Sequence, residues 1–121
     1  MMKALDVTWI SDSEIQPPGP KMVICVEPHI GLYFRINSND NWEPCIPILR
    51  IPDHPFLKWD SFIECTILEI DDYIINQALR KSGVIGTISK SLCDPLIKAL
   101  GYASGSRRDK NAIITVLERM R

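Results

Sequence analysis

The chain lacks any apolar run approaching the ~20 residues that a membrane-spanning helix requires, so no membrane partner is expected. Its start, MMKALDVTWISDSEIQ, carries acids and has no long apolar core. That makes it a poor secretory leader and sets the expected location in the cytoplasm. There is no glycine-rich phosphate loop: Gly83 and Gly86 stand alone, with no Gly-Lys-Ser/Thr after them. There is no nucleophile elbow. Histidine is scarce, with only His29 and His54, and the cysteines (Cys25, Cys45, Cys65, Cys93) are far apart and form no C-x-x-C pair. The ligand spacing of zinc motifs is absent, so no metal and no other cofactor is expected. Disulfides are not expected in a cytoplasmic domain of this size. Each cysteine sits in an apolar stretch and reads as a small buried hydrophobe.

What is present fits one ordinary domain. The 121 residues are 45% hydrophobic and 24% charged, near the averages for globular proteins. At this length roughly two thirds of the unfolded surface can be buried, enough for a core without staples. The net charge of -1 hides an asymmetry. Residues 37–72 hold eight acids and two bases, whereas residues 101–121 hold five bases and two acids. Phosphate contacts supply most nucleic-acid affinity, and only the C-terminal end offers a basic run. Solvated charge on the outside of a helix is the preferred account of that run.

Residues 1–21 read as a flexible arm, because the prolines of QPPGPK interrupt regular structure. The domain proper then spans 22–121. MVICVE (22–27) has the pattern of a buried strand, and LYFRIN (32–37) alternates Leu32, Phe34 and Ile36 against Tyr33, Arg35 and Asn37. CIPILRI (45–51) is a further strand, with Pro47 arguing for an edge position or a bulge. DSFIECTILEI (60–70) is the longest strand signal and sets Ile63, Cys65 and Ile67 on one face. DDYIINQALRK (71–81) predicts a short helix capped by Asp71 or Asp72. GVIGTIS (83–89) predicts a strand. The end is helical. Asp94-Pro95 reads as a helix start, with a start at Ser89 as the alternative, and Gly101 as a stop. Ser106-x-x-Asp109 resembles a capping box ahead of the stripe Ala112, Ile113, Val116, Leu117 and Met120. The fold class is therefore α+β: a small curled sheet or barrel of five or so strands with one or two C-terminal helices.

FRINSNDNWEPC (34–45) is the most unusual stretch. Its run of asparagines favours a turn, since Asn and Asp tolerate left-handed backbone angles. Trp42 beside Glu43-Pro44 also makes it a contact loop.

The block DSFIECTILEIDDYIINQALRKSGVIGTISKSLCDPLIKAL (60–100) resembles the second half of the PemK/MazF toxins, in which a strand, an Ile-Asp segment, a short helical link, a G-x-(I/V) strand and a closing helix follow in that order. VICVEPHIGLYF (23–34) is a weaker match to the family's opening strand and loop. The resemblance implies an SH3-like barrel, a homodimer, RNA as substrate, and a toxin–antitoxin or prophage setting with an antitoxin partner. The sequence departs from the family where cleavage needs charge. Glu43-Pro44 stands where family ribonucleases carry Arg-Pro, and Glu64-Cys65-Thr66 where some carry Arg-Cys-Asp. Metal-independent cleavage through the 2′-hydroxyl needs a base and a cation for the phosphate. A substitute set would be Arg35 for the phosphate, Glu64 as base and His29 as acid, with Trp42 stacking on an unpaired base. The binding candidates are Asn37, Asn39, Trp42, Trp59, Asp60 and Ser61. Two functions follow: an endoribonuclease with a rearranged or lost site, or a non-catalytic barrel that binds a protein or peptide through loops 37–44 and 52–60. Asp60-Ser61 with His54 also sketches a partial triad.

Overall fold

The computed structural model describes residues 2–12 and 19–121. Six strands form one antiparallel sheet: β1 (Asp6–Asp12), β2 (Gly19–Glu27), β3 (Leu32–Asn37), β4 (Cys45–Ile48), β5 (Ser61–Glu69) and β6 (Gly86–Thr87). Their order across the sheet is β4-β5-β3-β2-β1-β6. Helices α1 (Asp72–Lys81), α2 (Cys93–Leu100) and α3 (Arg107–Met120) complete an α+β fold with a curled, half-barrel sheet. Two β-bulges help the curl, one on β2 between Cys25 and Glu27 and one opposite Tyr33 and Arg35 on β5.

Alternation in β3 decides the layering. Leu32, Phe34 and Ile36 enter one core with Ile24, Val26, Ile63 and Cys65, closed by Leu96 and Leu100 of α2 and Ile113 and Leu117 of α3. Tyr33 turns the other way and joins Val23, Cys25 and Ile10 under Ile75 and Ala78 of α1. Both faces of the sheet are thus covered by helix, which explains why MVICV (22–26) is apolar throughout.

The helix signals work through specific bonds. The Asp71 side chain accepts from the Tyr73 amide at 2.8 Å, and the Ser106 hydroxyl accepts from the Asp109 amide at 3.1 Å. Pro47 lies on the edge strand β4, where its missing donor costs no ladder bond. Gly83, with φ of 68°, takes the left-handed position that closes α1.

Three expectations are corrected. Residues 6–12 are not an arm: β1 lies between β2 and β6, pairing Val7 with Ile24 on one side and with Gly86 on the other. Gly19, Pro20 and Lys21 likewise belong to β2. Residues 13–18, which hold the rest of the proline break, lie outside the described residues. The alternation of Val7 and Trp9 against Thr8 and Ile10 in DVTWISD carried the strand signal. The segment 83–89 contributes only Gly86–Thr87 as strand, although the amides of Ile85 and Ile88 extend its bonding to Val7 and Leu5 carbonyls. Finally, α2 starts at Cys93 with no side-chain cap, after a 3-10 turn (Lys90–Leu92) whose cap is Ser89 rather than Asp94.

Because β1 is internal, a chain that starts at Gly19 exposes the edge of β2 and both cores. Such a truncation is expected to lose the cooperative unfolding transition of the full chain in a circular-dichroism denaturation experiment. Retention of that transition would show that β1 is dispensable.

Candidate functional site

One cleft of about 600 Å3 lies at the open end of the β2–β3 hairpin. All three tryptophans of the chain, Trp9, Trp42 and Trp59, line it. Three cations, Lys21, Arg35 and Lys58, are among the residues around it, with Asn37, Ser38, Asn39 and Ser61. Its apolar floor includes Met22, Ile36 and Phe56. The lining draws on both faces of the sheet end. By strand alternation Trp9, Met22 and Ile36 belong to the face of α2 and α3, while Lys21, Arg35 and Asn37 belong to the face of α1.

Two loops shape this cleft. In the Asn-rich loop the Asn39 side chain accepts from the Asn41 amide at 3.1 Å, a local turn bond of the kind its composition predicts. That loop ends where the Pro44 carbonyl accepts from the Cys65 amide at 2.8 Å. Trp42 is left 53% exposed. The second loop, residues 49–60, carries Phe56, Lys58 and Trp59. Leu57 anchors it in the main core, and the Arg50 side chain donates from Nε to the Leu57 carbonyl at 2.8 Å. Phe56 lies against Gly86 so closely that a Cβ there would meet its ring at 2.2 Å. Trp59 is 57% exposed on the rim.

Of the residues expected to act, Arg35, Asn37, Asn39, Trp42, Trp59 and Ser61 all line this one cleft. Glu64 adjoins it from beneath: it is 6% exposed and stands opposite Arg35 across β3 and β5. Its Oε1 accepts from Asn37 Nδ2 at 2.8 Å and lies 3.8 Å from an Arg35 nitrogen. The Nε of Arg35 is buried and has no hydrogen-bond partner among the described residues. The pair is therefore an ion pair without a tight hydrogen bond, and the guanidinium keeps unused donor capacity.

Other expected members fall elsewhere. His29 is exposed in the turn between β2 and β3, at the opposite end of that hairpin from Asn37. It cannot serve as the acid to a Glu64 base. The Asp60 side chain accepts from the Arg50 amide at 2.8 Å and holds the base of the loop instead of lining the cleft. The partial triad is not assembled either: the Ser61 hydroxyl donates to the Trp59 carbonyl at 3.0 Å, and both His54 nitrogens are engaged with backbone groups.

No protein-family model, curated protein or solved structure matches this chain. The cleft is accordingly read from its own chemistry. Trp9, Lys21 and Phe56 are cleft residues that sequence reasoning missed. Trp9 and Lys21 fall in the segment that reads as an arm, and Phe56 falls in loop 52–60, where only His54, Trp59 and Asp60 stand out. Among the described residues no helix is long and apolar enough to cross a membrane.

The thiols are shielded from this chemistry. Burial, aided by Glu27 and Asp6, pushes the Cys25 thiol up to about 12, and burial pushes Cys65 up to about 12 as well. Cys45 is raised by burial and then by Asp40, Glu43 and Glu64. None is poised as a nucleophile.

Two outcomes follow from this geometry. Gly86→Ala forces Phe56 from its seat and is expected to cost ~1–3 kcal/mol, read as a lowered denaturation midpoint with altered tryptophan emission. An unchanged midpoint and spectrum would mean that Phe56 moves freely. Cys25 and Cys65 hold their protons at pH 8, well below about 12, so iodoacetamide is expected to leave both unlabelled in the native protein and to label both in denaturant. Mass spectrometry of the alkylated chain checks this.

Proposed function

We propose that the tryptophan cleft binds single-stranded RNA, as a MazF-like barrel relative that holds RNA without cutting it. The observation that carries this reading is the convergence of all three tryptophans with Lys21, Arg35 and Lys58 at one cleft. Single-strand binders combine aromatic faces for unpaired bases with cations for the backbone. The half-exposure of Trp42 and Trp59 at this cleft supports a stacking role. Lys58 beside Trp59 supplies charge for the neighbouring phosphate. Asn37 and Asn39 offer amides to a base edge. Cleavage is left out of the reading because its acid and base are separated: His29 is at the far end of the hairpin, and Glu64 is committed to Asn37 and Arg35. A homodimer and an antitoxin-like protein partner belong to the same proposal as consequences of the family resemblance.

A specific observation favours a second reading. Leu49 and Ile51 are more than half exposed on the loop whose Arg50 amide is tied to Asp60, next to Trp59. Exposed apolar side chains on the loop that also carries Trp59 suit a protein or peptide partner better than a polyanion.

Titration of the purified chain with a fluorescein-labelled single-stranded RNA, read by anisotropy at several salt concentrations, separates the two. RNA binding is expected, with Trp59→Ala weakening it about tenfold, in keeping with a stacking contribution of ~1–3 kcal/mol per base. Lys58→Ala is expected to reduce the slope of log affinity against log salt by about 0.7, the value of one single-strand phosphate contact. Absence of binding at low salt sinks the RNA reading and leaves the protein-partner reading standing. Fragmentation of the RNA in the same tubes sinks the claim that it is held uncut.

A further inference from the structure

We propose that Arg35 and Asn37, held by the buried carboxylate of Glu64, form a base-reading element of the tryptophan cleft that selects an unpaired guanine. Guanine selection rests on the RNA reading above and adds the identity of the base to it.

The element is built across two neighbouring strands. Arg35 and Asn37 alternate with Ile36 on β3, so they share one face of the sheet, and both line the cleft. Glu64 stands opposite Arg35 on β5 and is buried. As the anion of an ion pair it only accepts hydrogen bonds. Its Oε1 takes an N–H of Asn37 at 2.8 Å, and this fixes the amide: Nδ2 is turned to the carboxylate and Oδ1 away from it. The Nη1 of Arg35 faces the same Oε1 at 3.8 Å. Nδ2 is therefore the Asn37 atom nearer the guanidinium, and Oδ1 the farther one. The free ends are open to a ligand. Arg35 Nε is the one buried side-chain nitrogen or oxygen without a partner among the described residues. The terminal nitrogens of Arg35 and the Oδ1 of Asn37 make no hydrogen bond among those residues either, so solvent reaches them.

Read outward from Arg35, the element presents a guanidinium donor, an amide donor and an amide acceptor. A guanine edge, read from N7 through O6 to N1–H, presents acceptor, acceptor and donor, which is the complement. Adenine (N7, N6–H, N1) and uracil (O4, N3–H, O2) set an N–H against the middle donor and leave Oδ1 facing an acceptor, so each buries unpaired polar groups. Cytosine shares the guanine order in O2, N3 and N4–H. Guanine is favoured over it on two grounds. The guanidinium fork pairs with O6 and N7. The purine also offers Trp42 and Trp59 more ring to stack on. Arg35 already has its charge balanced by Glu64, which leaves the phosphates to Lys21 and Lys58.

The experiment is an anisotropy titration of the full chain with labelled uridine strands that differ only in a central guanosine, inosine, adenosine, cytidine or uridine. The guanosine strand is expected to bind about tenfold more tightly than the adenosine and uridine strands, the discrimination of one good bidentate pair. Inosine keeps N7, O6 and N1–H and is expected to match guanosine. Asn37→Ala removes the acceptor, and Glu64→Gln, with an amide of its own, lets Asn37 turn over. Both variants are expected to bind all the strands alike. If the two residues serve the fold alone, their loss weakens every strand equally and keeps the wild-type preference, and that result overturns the proposal. Equal binding of all strands by the wild type, or tightest binding of the cytidine strand, also overturns it while leaving the RNA reading in place. Binding of no strand at low salt overturns both. If Glu64→Gln does not fold, Asn37→Ala decides alone.

Discussion

A sheet with apolar side chains on both faces has to be covered on both, and this requirement governs the molecule. Phe34 and Ile36 look toward α2 and α3 while Tyr33 looks toward α1. The two cores share one backbone, so neither can shift without moving the other. Because a one-residue slip would exchange the faces, the register of β3 against its neighbours is strongly held. That rigidity lets loops from distant parts of the chain meet at a defined place beyond the strand ends.

The same alternation explains the character of the cleft. At the end of β3 the helices no longer cover the sheet, and the residues that follow the pattern are Arg35 and Asn37 instead of further hydrophobes. Glu64 opposite them is buried and acts as a fixed negative counterweight. The aromatic contributions come from elsewhere: Trp9 from a strand, Trp42 and Trp59 from the two loops. A polar sheet end and an apolar loop wall thus come from separate segments, and the meeting of the two is what gives the site mixed chemistry.

Much of this was legible in the sequence where the signal was periodic or local. LYFRIN and DSFIECTILEI announced their faces, and Asp71 and Ser106 announced their caps. Of the contact candidates, Asn37, Asn39, Trp42, Trp59 and Ser61 line one cleft, while Asp60 does not. What failed had physical causes. The prolines near residue 18 outweighed the modest alternation of DVTWISD, so β1 passed for an arm. His29 and Glu64 were grouped by chemistry alone, and only the hairpin geometry shows them to be far apart. His54 suggested only a partial triad, whereas its ring bonds a carbonyl five residues before it and an amide thirty-five residues after it, partners that carry no sequence signal.

The sheet's two outer strands also bear on how the protein behaves in a crowded solution. One is the four-residue β4, with Pro47 in it, and the other is the two-residue β6. Open strand edges are where unrelated chains add on and fibrils begin. Here neither border offers a long uninterrupted row of free amides, so the fold carries its own guard against edge-to-edge aggregation, and any self-association has to use side-chain surfaces instead.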